Sequence, residues 1–124
     1  MESNQAKPGV INPQLIKKPW GFSRRFTVNR PSTVKVLHIE AGEEFSLQDH
    51  EHRSEFWRVL KGEPIITIGE AEVTAKEGDE FKIPAKTHHR IAAPKDGDVD
   101  MLEISLGKFD EGDSERIEDK YGRA

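Results

Sequence analysis

Cysteine is absent from this chain of 124 residues. Its absence excludes disulfide bridges, thiolate catalysis and sulfur-rich zinc sites, so any bound metal must rely on nitrogen and oxygen ligands. Long apolar runs are absent as well, since none approaches the ~20 residues that a membrane-spanning helix needs. The N-terminal segment also lacks the apolar core of a signal peptide. We therefore expect a soluble, cytoplasmic protein with no membrane partner.

Apolar residues are scarce too. They make up 34% of the chain, which is no more than the 34% contributed by charged residues. A core this lean predicts that a bound metal, a second subunit or both stabilise the fold, and we expect a homodimer. The formal net charge of −4 argues against a nucleic-acid partner, because nucleic-acid phosphates attract concentrated basic faces.

The sequence does contain a regular series of strand signals. From Trp20 onward, short runs rich in β-branched and aromatic residues recur between turns marked by Gly, Pro or Asn. This spacing predicts an all-β sandwich or small barrel with little helix. The predicted strands cover residues 22–28, 33–39, 44–50, 55–60, 65–68, 71–75, 79–83, 89–93 and 98–106. A turn or two of helix is predicted only for residues 114–121.

The first residues differ from the rest of the chain. Residues 1–13 are mostly polar, include Pro8 and Pro13 and show no periodicity, which predicts a flexible N-terminal arm. The remaining length is typical of one domain, and no linker interrupts it. We therefore expect a single domain over residues 14–124.

The histidines form the first sign of a chemical site. Four of the five fall into two pairs, His50 with His52 and His88 with His89. A lone buried histidine is more often a hydrogen-bonded core residue than a metal ligand, so the pairs need support from their neighbours. The predicted strands supply that support, because they would bring the two pairs together across a barrel.

Two further side chains complete a candidate metal site. Side chains two apart in a strand share a face, so Gln48 and His50 would both point into the barrel. Glu55 would return on the next strand and face inward as well, and His89 would join them. Two imidazoles, one carboxylate and one amide oxygen suit one divalent ion of Zn, Mn, Fe, Co or Ni, among which the sequence does not choose.

The spacing of these residues matches a known motif. Five residues separate Gly42 from Gln48, one separates Gln48 from His50, four separate His50 from Glu55 and six separate Glu55 from Gly62. This spacing resembles the first motif of the cupins, with Gln48 where most cupins have histidine.

A second cupin-like motif follows. It contains Gly78, Pro84 and His89, with Lys86 where cupins usually have glycine and Ala93 where they usually have asparagine. Neither departure removes a ligand. The resemblance therefore implies a cupin double-stranded β-helix, which is an all-β jelly-roll barrel.

Four segments narrow the resemblance to one family. They are KPWG at 18–21, SLQDHEHRSEFW at 46–57, IPAKTHHR at 83–90 and EDKYGR at 118–123. They are similar to the cupin domain of type II mannose-6-phosphate isomerases, and the similarity covers about residues 18–123. The resemblance implies interconversion of mannose 6-phosphate and fructose 6-phosphate, in which a proton moves between C1 and C2 through a cis-enediol. A glutamine, two histidines and a glutamate are also the metal ligands of phosphomannose isomerases.

Such a reaction needs an electrophile, a general base and cations that bind the phosphate of the sugar phosphate. Three arginines inside the matched motifs are candidates for the phosphate: Arg53, Arg90 and Arg123. Three residues are candidates for the base: His52, His88 and Glu103.

Two other functions stay open. The fold hosts many chemistries, so the chain would also suit another metal-dependent cupin enzyme, such as a dioxygenase or a different sugar isomerase or epimerase. Gln48 disfavours the dioxygenase, because iron oxygenases commonly use histidine-rich ligand sets. The second alternative is a non-catalytic cupin that binds a metal or a sugar. It is favoured by Phe56, which stands where the family usually has a histidine before Trp57.

Overall fold

Eleven β-strands make up most of the chain that the computed structural model describes, which is residues 10–45, 47–50, 53–107 and 114–122. They are β1 (Gln14–Lys18), β2 (Gly21–Arg25), β3 (Ser32–Ile39), β4 (Leu47–His50), β5 (Ser54–Lys61), β6 (Ile65–Ile68), β7 (Ala71–Thr74), β8 (Glu80–Ile83), β9 (His89–Ala92), β10 (Val99–Leu106) and β11 (Ser114–Glu118). These ranges contain no helix, and hence none that is long and apolar enough to cross a membrane. The prediction of an all-β fold with little helix is confirmed.

The strands form three antiparallel sheets. β1 and β2 pair as a hairpin, β3, β10, β5 and β8 form a four-stranded sheet, and β11, β4, β9, β6 and β7 form a five-stranded sheet, each in that order. The two larger sheets enclose the main core, to which both contribute. Its buried members are Ile39, Trp57, Val59, Ile66, Ala75, Ile83, Ile91, Ala93, Val99 and Met101. This architecture is the predicted cupin jelly roll.

The inner face of the four-stranded sheet changes from apolar to polar along its strands. Antiparallel register places residues of neighbouring strands side by side on this face. From the apolar end, the rows are Leu37 with Met101 and Val59, then Lys35 with Glu103 and Trp57, then Thr33 with Ser105 and Glu55. The apolar core therefore gives way to a polar interior at one end of the barrel.

A second apolar cluster lies on the outer face of the same sheet. Phe56, Ile104 and Leu106 pack there with Ile11 and Phe26. The ring centroids of Phe26 and Phe56 are 5.0 Å apart. Alternation along β5 thus places Phe56 on the face opposite Glu55, as the sequence predicts. Ile11, which belongs to the predicted N-terminal arm, is only 3% exposed, whereas residues 1–9 lie outside the described ranges.

The helix predicted for residues 114–121 is wrong. Residues Ser114–Glu118 form strand β11, which pairs with β4 and places Arg116 opposite Gln48. Strand pairing satisfies backbone hydrogen bonds of β4, and this tertiary contact outweighs a weak local preference for helix. The strand also means that the C-terminal segment flanks the strand that carries two of the predicted metal ligands.

The residues after β11 hold this segment against the loop before β4. The ammonium group of Lys120 donates a hydrogen bond to the backbone oxygen of Gly42 at 2.9 Å and lies 3.0 Å from Oε1 of Glu43. The hydroxyl of Tyr121 donates a hydrogen bond to the same carboxylate. Lys120 and Tyr121 of the EDKYGR segment therefore fix the end of the chain that follows β11 to the loop before β4.

Strand β1 is absent from the sequence prediction. It pairs with β2 along its whole length, with Leu15 opposite Arg24 and Lys17 opposite Phe22. Its two apolar residues, Leu15 and Ile16, are adjacent and show no alternation, so periodicity gives no strand signal here.

The loop before β9 contains Lys86, at the position where cupins usually have glycine. Lys86 has a φ of 65°, a left-handed conformation that costs a side-chain-bearing residue roughly 1–2 kcal/mol. Its backbone N–H donates a hydrogen bond of 2.7 Å to the backbone oxygen of His50. The loop is thereby tied to the end of β4.

An ion-pair cluster on the outside of the sheet predicts a dependence of stability on pH. Two guanidinium nitrogens of Arg24 lie 2.7 and 3.0 Å from the two carboxylate oxygens of Glu80, and Arg58 also contacts this carboxylate. The hydrogen bond from Arg24, supported by the one from Arg58, lowers the pKa of Glu80. A carboxyl whose pKa is lower in the folded state stabilises the fold above its unfolded pKa of about 4.3, and this contribution is lost as pH falls through the folded value.

We expect Glu80→Gln to lower the free energy of unfolding by about 1 kcal/mol at pH 7, the scale of a partly exposed ion-pair cluster. The difference from the wild type should shrink as the pH falls below about 4.3, where the wild-type carboxylate takes up a proton. Urea unfolding at several pH values measures it. Glu72→Gln, on an exposed strand position, is the matched control. A difference that stays constant with pH would contradict the prediction.

Candidate metal centre

Three buried side chains meet at the polar end of the barrel. His50 lies at the end of β4, Glu55 near the start of β5 and His89 at the start of β9, and each is at most 3% exposed. Nε2 of His50 is 3.1 Å from Oε2 of Glu55, and Nε2 of His89 is 3.7 Å from Oε1. One ligand atom from each residue lies within 4.8 Å of the others. We call these three residues the His/Glu cluster.

The topology explains why residues so distant in sequence meet. β4 and β9 are neighbours in the five-stranded sheet, where Gln48 is opposite His89, and β5 belongs to the facing sheet. The cluster therefore bridges the two sheets across the interior. The imidazole rings of His50 and His89 have centroids 4.9 Å apart.

Neighbouring groups orient two members of the cluster. The indole N–H of Trp57 donates a hydrogen bond of 2.9 Å to Oε1 of Glu55. Nδ1 of His89 is 2.9 Å from the backbone oxygen of Thr87, and because a carbonyl oxygen only accepts, Nδ1 carries the proton. The lone pair of His89 is therefore on Nε2, which faces the carboxylate. A hydrogen bond from the remote nitrogen to a carbonyl is common in histidines that bind metals.

The charges of the cluster follow from burial and close contact. Burial lowers the pKa of His89, which favours its neutral, metal-binding form. Burial alone would raise the pKa of Glu55, but its close contacts with His50 and Glu103 outweigh burial and lower the pKa. Burial and the adjacent Glu55 carboxylate raise the pKa of Glu103 to about 8.

Arg53 brings a positive charge to the same place. Its side chain is 5% exposed, Nη2 is 3.1 Å from Nε2 of His50, and Nε is 3.5 Å from Oε2 of Glu55. A guanidinium is always a donor, so Nε2 of His50 accepts this hydrogen bond. Nε2 has one lone pair, and a metal at this atom would replace the contact with Arg53.

The cluster has the composition and the dimensions of a metal site. Two imidazole nitrogens and a carboxylate oxygen suit divalent transition metals, whose bonds to such atoms are about 2.0–2.2 Å long. Ligand atoms around such an ion lie roughly 3–4 Å apart, as the distances of 3.1 and 3.7 Å do here. Gln48 lies two residues before His50 on β4 and is half-buried. Its amide is therefore on the face of the strand that carries His50.

The structure brings together only some of the other predicted site residues. Glu103 contacts the cluster through its hydrogen bond to Glu55. Arg90 lies on the face of β9 opposite His89, where its Nε donates a hydrogen bond of 3.1 Å to the backbone oxygen of Phe45. His88 is exposed, just before β9. The predicted base His52 and the predicted phosphate ligand Arg123 lie outside the described residues.

One residue of the polar interior is missing from the sequence prediction. Lys35 lies on the inner face of β3, opposite Glu103 in the register of β3 and β10. The strand pattern could have predicted that Lys35 faces inward, because Lys35 shares its face with Leu37 and Ile39. The pattern is ambiguous from sequence, since the other face of β3 carries Val34 and Val36.

Comparison with known families and proteins agrees with this architecture. The family described as mannose-6-phosphate isomerase C-terminal matches residues 7–119. The alginate biosynthesis protein AlgA of Pseudomonas aeruginosa is 32% identical over 120 residues, covering 96% of this chain and 25% of that protein. The mannose-1-phosphate guanylyltransferase ManC of Salmonella typhimurium is 31% identical over 109 residues, covering 87% of this chain and 23% of that protein. The chain thus spans about a quarter of the length of these relatives.

A solved structure shares the fold. The cupin-2 domain protein of Rhodospirillum rubrum superposes with a TM-score of 0.64 at 20% sequence identity, covering 94% of this chain and 80% of that protein. At this identity the similarity establishes the cupin fold alone.

Proposed function

Because the chain belongs to the family of mannose-6-phosphate isomerase C-terminal domains, we propose that it interconverts mannose 6-phosphate and fructose 6-phosphate with one divalent metal ion. The observation that carries this proposal is the buried His/Glu cluster with the carboxyl group of Glu103 hydrogen-bonded to it. Two of its relatives are an alginate biosynthesis protein and a mannose-1-phosphate guanylyltransferase, which supports a sugar phosphate as the substrate.

The proposed metal ligands are Gln48, His50, Glu55 and His89. A bound divalent ion would act as a Lewis acid on a substrate oxygen and stabilise the negative charge of the enediolate. The ligand set carries one formal negative charge and consists of nitrogen and oxygen donors, so it suits Zn, Mn, Fe, Co or Ni.

The chain's own residues supply the remaining functions. The isomerisation removes a proton from C2 of mannose 6-phosphate and returns one to C1, so it needs a group that accepts and donates a proton. Among the predicted bases that lie in the described residues, Glu103 is beside the cluster and His88 is exposed, and we assign the proton transfer to the ionised form of Glu103. A metal ion on Glu55 would offset the negative charge that raises the pKa of Glu103 and would favour that ionised form. Arg53 lies beside His50 and Glu55, at the end where C1 and C2 would be held.

The environment of Phe56 bears on the non-catalytic alternative. That alternative depends on the loss of a histidine at this position. Phe56 packs on the outer face of the sheet with Phe26 and Ile104, away from the His/Glu cluster. The replacement therefore alters an outer packing surface and leaves the polar interior intact, which favours the isomerase.

The isomerase proposal predicts turnover that depends on a metal. Protein treated with a chelator should show no conversion of mannose 6-phosphate in a coupled assay, because the metal is the Lewis acid proposed to stabilise the enediolate. Restoring Mn, Co, Zn or Fe should restore the activity at one ion per chain. A chain that binds one ion but converts mannose 6-phosphate with none of these metals would contradict the proposal and favour a binding function.

We also propose that the protein is a homodimer. Leu15, Trp20 and Phe22 of the β1–β2 hairpin are 58%, 73% and 56% exposed, and a two-stranded hairpin is marginally stable alone. Residues 14–25, which form the hairpin, contain four Lys and Arg residues and no Asp or Glu, whereas the whole chain is acidic. The hairpin therefore complements the acidic remainder of a second copy.

The dimer proposal predicts that Trp20→Ala weakens association by about 10- to 100-fold, the range for an aromatic residue central to an interface. Size-exclusion chromatography with light scattering over a dilution series measures the dissociation. Val73→Ala, which is exposed on β7, is the control. A wild-type protein that is monomeric at all concentrations tested would contradict the proposal.

A further inference from the structure

The orientation of Lys35 reverses the usual pattern of a half-buried strand. Its neighbours Val34 and Val36 are 61% and 63% exposed, whereas Lys35 is half-buried on the inner face. A strand with one face on the core normally turns its apolar residues inward and its charged residues outward. On β3 the lysine faces the polar interior, and the reversal needs an explanation.

The contacts of Lys35 place it at the proposed active site but away from the His/Glu cluster. Lys35 is opposite Glu103 in register, and its charge interacts with that carboxyl group. It is two strands from β5, since β10 lies between them. Neighbouring strands are about 4.8 Å apart, so the backbone of Lys35 is about 10 Å from that of Trp57 and farther from that of Glu55.

Arg53 lies at the His/Glu cluster itself. It contacts both His50 and Glu55, so it lies where the proposed metal ligands converge. The substrate of an aldose–ketose isomerase must present C1 and C2 to that place, and the phosphate on C6 is at the other end of the carbon chain. A cation that binds the phosphate must therefore lie away from the cluster. Arg53 contacts the cluster and does not meet this requirement.

We propose that Lys35 binds the phosphate group of the substrate and thereby sets the specificity for phosphorylated sugars. The inference rests on the proposed function for the class of substrate. It proposes Lys35 in place of Arg53 as the phosphate ligand, and the guanidinium of Arg53 would instead face the oxygens of C1 and C2. The long side chain of Lys35 reaches from β3 into the interior, and its ammonium group is a point charge with three donors that suits a phosphate.

An inward charge on an edge strand has a second known use. β3 is at the edge of the four-stranded sheet, and inward-pointing charges oppose unwanted pairing of such edges with other chains. That role would make a Lys35 variant aggregate without changing its preference for a phosphorylated ligand. Ligand preference therefore separates the two roles.

The test compares Lys35→Met, Lys35→Arg and the wild type, each as the full chain reconstituted with Mn²⁺. Calorimetric titrations with fructose 6-phosphate and with fructose give the two dissociation constants, and the coupled assay gives KM and kcat. Lys61→Met is the matched control, because Lys61 is an exposed lysine at the end of β5. Circular dichroism melting checks that each variant is folded.

We expect Lys35→Met to weaken fructose 6-phosphate binding and to raise KM by about 10- to 100-fold, the value of one hydrogen-bonded charge pair. Fructose binding and kcat should change by less than threefold, and Lys35→Arg should recover most of the loss. Unchanged fructose 6-phosphate binding in Lys35→Met would overturn the inference, as would a wild type that binds no sugar phosphate. Binding that depends on Lys35 without any turnover would uphold the inference and refute the isomerase activity.

Discussion

Replacing His50 by alanine should abolish metal-dependent turnover and stoichiometric metal binding together. His50 supplies one of the two imidazole nitrogens of the His/Glu cluster and lies 3.1 Å from the Glu55 carboxylate. Loss of a residue that merely orients a ligand weakens metal affinity by about 10- to 100-fold, so loss of a ligand should weaken it by at least about 100-fold. Metal content by mass spectrometry and calorimetric titration with Mn²⁺ or Zn²⁺ measures the effect.

The control for His50→Ala is His38→Ala. His38 is an exposed histidine on β3 whose Nδ1 lies 2.6 Å from Oδ1 of Asp100, on the outside of the sheet. This variant should bind one metal ion with wild-type affinity. If His50→Ala kept full metal content while His38→Ala lost it, the metal would lie on the outer surface and the interior site would be refuted.

Strands bounded by clear turn signals were predictable from the sequence. The prediction for residues 65–68 coincides with β6, and the prediction for residues 98–106 differs from β10 by one residue. β11 was not predictable in this way, because residues 114–118 become a strand only through pairing with β4, more than 60 residues earlier in the chain. Local propensity contains no information about such a partner.

The meeting of His50, Glu55 and His89 was predictable, because the motif spacing indicates which residues face inward on β4, β5 and β9. The assignment of the arginines was weaker, because membership in a motif does not specify a face. Because adjacent residues of a strand point to opposite faces, Arg90 and His89 of β9 cannot both face the interior. The sequence alone could therefore have excluded Arg90 from the site. The orientation of Lys35 was not predictable for a different reason. Both faces of β3 carry apolar residues, so only the fold decides which face is inside.

Replacing Glu103 by glutamine should remove proton transfer and leave the metal site in place. Glutamine has nearly the same size as a protonated glutamate and can still donate a hydrogen bond to Glu55, but it cannot exchange a proton with the substrate. General acid–base catalysis contributes about 10²- to 10⁴-fold, so kcat should fall by that factor. The coupled assay and metal content measure the two effects, and thermal unfolding checks the fold.

The pairing of these measurements distinguishes two roles for Glu103. If its only role were to orient Glu55 through their hydrogen bond, Glu103→Gln would retain that donor, and both metal affinity and kcat would stay within a few-fold of the wild type. If Glu103 transfers the proton, kcat falls while the affinity for the metal does not. Exchange of solvent deuterium into recovered mannose 6-phosphate gives an independent reading, because it requires removal of the C2 proton even when product formation is slow. If Glu103→Gln exchanged deuterium at the wild-type rate, another residue would be the base.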